Sequence, residues 1–169
     1  ASALASEFER LAALAIDAPC VAAPVAAGIV EFVPYAAVPY VAGESLDAAI
    51  RQYGPAPSGD AIRLIAHVAD ALDAAAREGV HHGSLHPRDI IVTPGETHVT
   101  GFGVAQALGR VGLHGPIRRP YVAPEREGGA HRDDRREALA AVPARGVRGA
   151  DRRLRQVAPA PVGGGRHRR

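Results

Sequence analysis

The sequence predicts an α+β fold, on three observations. Residues 59–78 carry apolar side chains at helical spacing, residues 25–41 are rich in Val, Ile, Phe and Tyr, and residues 90–102 hold a β-branched run, a Pro-Gly turn and a second strand-like run. The first element is a helix over 2–16, where Leu4, Phe8, Leu11 and Leu14 form one stripe before Pro19 ends it. Two short strands follow at about 27–33 and about 36–41, punctuated by Pro34 and Pro39. A short helix over 45–53 starts at Ser45, whose hydroxyl can accept from the amides of the first turn, and closes at Gly54-Pro55. The long helix over 59–78 is expected to bury Ile62, Ile65, Ala69, Leu72 and Ala76. It turns Arg63, Asp70, Asp73 and Arg77 to water, and Gly79 stops it. After a loop holding His81, His82, His86 and Pro87, Ile90-Ile91-Val92 reads as a strand, Pro94-Gly95 as its turn and residues 98–102 as the hairpin partner. Residues 103–120 read as loop.

The chain has 169 residues, enough for one ordinary domain. All 20 of its basic side chains are arginine, and Lys, Met and Trp are absent. Schiff-base chemistry, a phosphate-loop lysine and a lysine anchor for a nucleotide are therefore excluded. The net charge of +2 conceals a split: residues 1–109 hold 5 Arg against 12 acidic residues, residues 110–169 hold 15 Arg against 6. One cysteine, Cys20, excludes an internal disulfide and a cysteine-based zinc cluster, and reads as a small apolar residue. No apolar run reaches the roughly 18 residues of a membrane span. Residues 1–15 carry Glu7 and Glu9 where a secretory leader would be basic. No membrane span is expected in this chain, and the expected location is the cytoplasm.

Local patterns then recur in a telling order. Gly79-Val80-His81-His82-Gly83-Ser84-Leu85-His86-Pro87-Arg88-Asp89-Ile90-Ile91-Val92 resembles the catalytic loop and following strand of bacterial Ser/Thr protein kinases. Thr100-Gly101-Phe102-Gly103 resembles their magnesium-binding Asp-Phe-Gly segment. Pro120-Tyr121-Val122-Ala123-Pro124-Glu125 resembles the Ala-Pro-Glu end of the activation segment. Upstream, Pro39-Tyr40-Val41-Ala42-Gly43-Glu44-Ser45-Leu46 resembles the hinge and the start of the next helix, and the helix at 59–78 matches the one before the catalytic loop. The resemblance covers roughly residues 4–125. It implies a protein-kinase-like fold: a partial small lobe plus the first half of the helical large lobe. Two domains follow from it, a partial kinase-like domain at 1–125 and an Arg/Ala/Gly/Pro-rich segment at 126–169.

The family's phosphoryl transfer needs a loop carboxylate for the substrate hydroxyl, magnesium ligands and a phosphate-gripping lysine. Here Ser84 stands at the catalytic Asp position, and a hydroxyl of very high pKa neither acts as the base nor carries the charge. Gly83 replaces the preceding Arg, and His86 stands at the loop Lys position. Asp89, at the Asn position, is an oxygen donor and the one candidate metal or cofactor contact in the loop, with capping of the adjacent turn as its bland role. Gly101 stands at the metal-binding Asp position. Pro39, Tyr40 and Val41 are the hinge residues that would border a nucleotide. His82, Phe102 and Glu125 are retained, and the resemblance assigns them structural roles. Glu7 or Glu9 falls near the family's helix glutamate. No catalytic residue is competent in this reading, which is what a pseudokinase looks like.

Alternatives attach to the same residues. His81, His82 and His86 lie close in sequence, but His82 is expected to point into the core and His86 into the cleft, so a three-histidine metal site is disfavoured. A Ser84–His86 nucleophile pair lacks an oxyanion hole and a third member. Arg118 and Arg119 could engage a phosphate, but in such a loop they read first as solvated charges. Residues 126–169 lack the apolar surface to fold alone and are expected to be disordered. Their Arg, Ala, Gly and Pro are what very GC-rich DNA encodes in any frame, so they read as a frame-shifted or degenerate end. Without an aromatic for base stacking they give no sequence-selective grip on nucleic acid. The sequence therefore predicts a catalytically inactive kinase-like module that binds a protein partner in regulation, without a cofactor. ATP and magnesium enter only if the chain is an active Ser/Thr kinase. A charge-driven nucleic-acid or membrane-surface binder is the third reading.

Overall fold

The computed structural model describes residues 1–115, 118 and 121. The expectations on Glu125 and on 126–169 lie outside the described residues. Helix α1 (Ser2–Ala13) buries Ala5, Phe8 and Leu11, with Leu4 and Leu14 partly covered. It ends earlier than the apolar stripe suggests, because Ala15 takes a left-handed φ of 45° just past the cap. Strand β1 (Val21–Ala22) follows, then a hairpin of β2 (Ala26–Val30) and β3 (Val33–Ala37).

That hairpin corrects the expected strand bounds. The chain reverses at Glu31-Phe32, not at Pro34, which pairs with Ile29 inside β3. Proline is tolerated there because a two-stranded sheet leaves each strand an open edge that needs no donor. Ala27 and Ala36 lie on the face packed toward α1. Gly28, Val30, Val33 and Tyr35 occupy the opposite, outer face.

Strand β4 (Glu44–Ser45) leads into α2 (Leu46–Tyr53), where the Ser45 hydroxyl accepts from the Ala48 amide at 3.3 Å as its N-cap. Helix α3 (Ser58–Arg77) buries Val68, Ala71, Leu72 and Ala75. The expected stripe is turned: Ala76 is exposed and Ile62 is 53% exposed. In an alanine-rich helix several faces offer small apolar residues, and the packing partner decides between them. Strands β5 (Ile90–Thr93) and β6 (Glu96–Thr100) form the expected hairpin at the centre of a second sheet, in the order β1-β6-β5-β4. β1 runs parallel to β6 in the register Val21↔Val99 and Ala22↔Thr100.

Residues 103–120 are not all loop. Val104–Arg110 form a helix, α4, because Val-Ala-Gln-Ala-Leu is good helical sequence once Gly103 sets its start in a left-handed conformation. Phe8 and Leu11 of α1, Leu46 of α2, the α3 face, Val80, Leu85, Ile90, Val99, Phe102 and Ala107 of α4 make one continuous core. It lies beneath the 80–103 loops and fixes their backbone. Among the described residues no helix is long and apolar enough to cross a membrane.

Candidate functional site

The segment between α3 and β5 is held by its own side chains. His86 N–H donates to Asp89 Oδ2 at 3.0 Å, Arg88 N–H donates to His86 Nδ1 at 3.1 Å, and Asp89 N–H donates to the His86 carbonyl at 2.8 Å. This reciprocal cap closes a 3-10 turn over Pro87–Asp89. Asp89 therefore does the turn-capping job, and more. Arg118 Nη1 donates to its Oδ1 at 2.9 Å and to its Oδ2 at 2.7 Å. The Asp89 side chain is 16% exposed and that of Arg118 44%. Beside this pair, Tyr121 meets His86 edge to face with ring centroids 4.8 Å apart. Arg118, which reads in sequence as a solvated charge, is thus a partner of the loop.

The two loop histidines diverge as expected. His82 is 3% exposed, meets Phe102 edge to face at 5.4 Å, and lies with Nε2 2.9 Å from the Thr100 carbonyl. His86 is half-buried, and burial pushes its imidazole below the usual range. His81 is exposed, and its N–H donates to Gln106 Oε1 of α4. Among the described residues no three of His, Cys, Asp or Glu gather as a metal-holding group. Ser84 is half-buried, with its N–H 3.4 Å from His82 Nδ1. Gly101 sits at φ 82°, and a Cβ there would meet His82 Nε2 at 3.4 Å. A left-handed backbone in that position suits glycine, and glycine brings no ligand. Of the hinge residues, Pro39 and Tyr40 are exposed, Tyr40 at 91%, and Val41 is half-buried.

Of the two candidate helix glutamates, Glu7 is half-buried beside α4 and Glu9 is exposed. Glu7 accepts from Arg110 Nη1 at 2.9 Å and from Arg10 Nε at 3.2 Å. The Arg110 guanidinium holds its carboxyl below the usual range. Nothing in the sequence pattern around Arg110 marks it out, since its partner is 103 positions away. Sequence reasoning also missed a cleft of about 390 Å³ between α2, α3 and the β5–β6 turn, lined among others by Ile50, Tyr53, Leu64, His67 and Val92. Its walls come from three separate stretches of chain, so no local motif signals it.

Comparison with known proteins follows this geometry. No family model matches the chain. The Ser/Thr-protein kinase PknD of Mycobacterium tuberculosis is 39% identical over 72 residues, which is 42% of this chain and 11% of that protein. The kinase PknK of the same organism is 36% identical over 77 residues, 45% of this chain and 7% of that one. The chain thus spans about a tenth of the length of the curated relatives it matches. Among solved structures, the Mycobacterium tuberculosis PknI kinase domain superposes with a TM-score of 0.60 at 26% identity, over 80% of this chain and 53% of that one. A C20A mutant of the same domain gives 0.60 at 24% identity, over 83% and 57%.

Such a fold implies magnesium and a nucleotide, and the described loop carboxylate does not fit the metal. The segment that would bring a carboxylate brings Gly101, and both oxygens of Asp89 already accept from Arg118. A single carboxylate neutralised by a guanidinium is a poor ligand set for a hard divalent cation.

Proposed function

We propose that this chain, a partial kinase-like domain of the bacterial Ser/Thr protein kinase family, works by binding a protein partner and transfers no phosphate. The observation that carries the reading is the state of the two carboxylate positions. Ser84 and Gly101 supply none, while Asp89 is tied to Arg118. Kinase chemistry is mainly positioning and charge stabilisation around the transferred phosphoryl group. Losing several of those charges together removes many orders of magnitude in rate. ATP and magnesium are accordingly no part of the proposed function. A protein partner is supported by the outer face of the β2–β3 hairpin, where Val30, Phe32 and Val33 are 61%, 89% and 64% exposed.

A thermal-shift titration with ATP, with and without magnesium, tests the nucleotide side, and no shift is expected. A phosphotransfer assay tests the chemistry. Turnover that disappears on Asp89→Ala would overturn the reading in favour of an active Ser/Thr kinase, the activity named for the relatives.

A further inference from the structure

We propose that Arg118 is the resident cation of the remnant active site, standing beside Asp89 where a divalent metal would be required. The inference rests on the non-catalytic reading and adds a specific device to it. Both Asp89 oxygens accept from one Arg118 nitrogen, at 2.9 and 2.7 Å. The Oδ2 atom also accepts from the His86 amide at 3.0 Å. The carboxylate is thereby capped by the loop amide and neutralised by the guanidinium. Charge-assisted bonds of this kind are stronger than neutral ones, and Asp89 is the less exposed partner, at 16% against 44% for Arg118.

The surroundings fit a built contact. Arg118 reaches Asp89 across 29 residues of chain. Its carbonyl accepts from the Tyr121 amide at 3.2 Å, and the Tyr121 ring packs edge-on against His86. Arg118 and Tyr121 thus contact the loop at Asp89 and His86. Arg88, the other arginine of the loop, is turned away: its Nε donates to Asp47 at 3.2 Å. Asp47 in turn pairs with Arg51 at 2.7 Å. Arg118 is accordingly the guanidinium that balances Asp89. The loop keeps a cation in covalent supply, and its acidic residue, Asp89, serves that contact.

The test uses the full chain and Mn²⁺ alone as the probe, read by paramagnetic broadening of the amide signals of His86, Arg88 and Asp89. Wild type should stay sharp at concentrations that broaden Arg118→Ala. The half-point of the variant should fall at least about tenfold lower. Asp89→Asn in the Arg118→Ala background should restore the wild-type response. Arg118→Gln is shorter than arginine, keeps an amide donor and drops the charge. A folded Arg118→Gln as insensitive as wild type would overturn the inference, as would equal half-points in wild type and Arg118→Ala. Those results leave the non-catalytic reading standing. Phosphate transfer by the wild-type chain would instead remove that reading, whatever the contrast in Mn²⁺ response.

Discussion

One carboxylate and one imidazole define the chemistry at the scale of single residues. Glu7 is drawn below its ordinary pKa chiefly by the hydrogen bond from Arg110, with Arg10 adding to it. A depressed carboxylate contributes stability that is fully present above its unfolded-state pKa and is lost as pH falls through the lower folded value. Glu7→Gln or Arg110→Ala should therefore lower the melting temperature near neutrality and flatten its fall in acid, measured by calorimetry from pH 7 down to pH 3, in about half-unit steps. His86 acts with the same sign for another reason. Burial favours its neutral form, so the unfolded chain takes up the proton first. Stability from that residue is intact above the usual imidazole range and declines as pH drops through it. His86→Asn should remove this component. Much of the pattern was legible in sequence here: Ser84, Gly101, His82 and Phe102 follow from local motif order. The Arg118 and Arg110 pairs did not, because an ion pair depends on where two distant segments are brought together, and an arginine looks the same solvated or engaged.

At the scale of elements, the β2–β3 hairpin has the right residues in its strands and the wrong ones in its turn. Glu31 and Phe32 carry φ of 47° and 67°, a pair of left-handed conformations for which Asn-Gly is suited. Phe32 is also 89% exposed, so its ring returns little for that strain. Phe32→Gly should stabilise the fold by about 1 kcal/mol, read from chemical denaturation, since the relieved conformational cost of about 1–2 kcal/mol exceeds the added freedom of the unfolded chain. Helix α4 tells the opposite story at its start. Gly103 has φ 75°, and a Cβ there would fall 2.5 Å from Leu11 Cδ2. Gly103→Ala combines backbone strain with overpacking and should cost about 3 kcal/mol. Sequence periodicity found α1, α2, α3 and the β5–β6 hairpin. It placed the β2–β3 turn wrongly because Pro34 looks like punctuation and is harmless on an open edge. It missed α4 because two glycines outweighed the helix formers between them.

For the molecule as a whole, the decisive fact is that one core joins all four α-helices and the β5–β6 hairpin. Phe8 of α1 and Val68 of α3 belong to the same cluster as Phe102 and Ala107. Phe8→Ala should cost about 3–5 kcal/mol, a large share of the roughly 5–15 kcal/mol typical of a domain. Both Phe8→Ala and Val68→Ala should shift a single transition that near-ultraviolet and far-ultraviolet dichroism report together. Separate transitions would show that the two sheets melt independently. The fold class was legible in sequence from the order of its elements. The face that α3 presents was not, because the small residues of that helix admit more than one packing and the choice belongs to the neighbours.

The Glu7–Arg110 pair and the parallel β1–β6 register carry one more implication, for how the chain is made. Both contacts tie the first two dozen residues to positions 99–110. A ribosome adding about 5–20 residues per second leaves the amino-terminal helix without these neighbours for roughly 5–20 s. During that interval its Phe8 and Leu11 are exposed to whatever else is nearby. The nascent chain is therefore a more natural client for a chaperone than the finished domain, and pauses in translation before residue 110 should prolong that dependence.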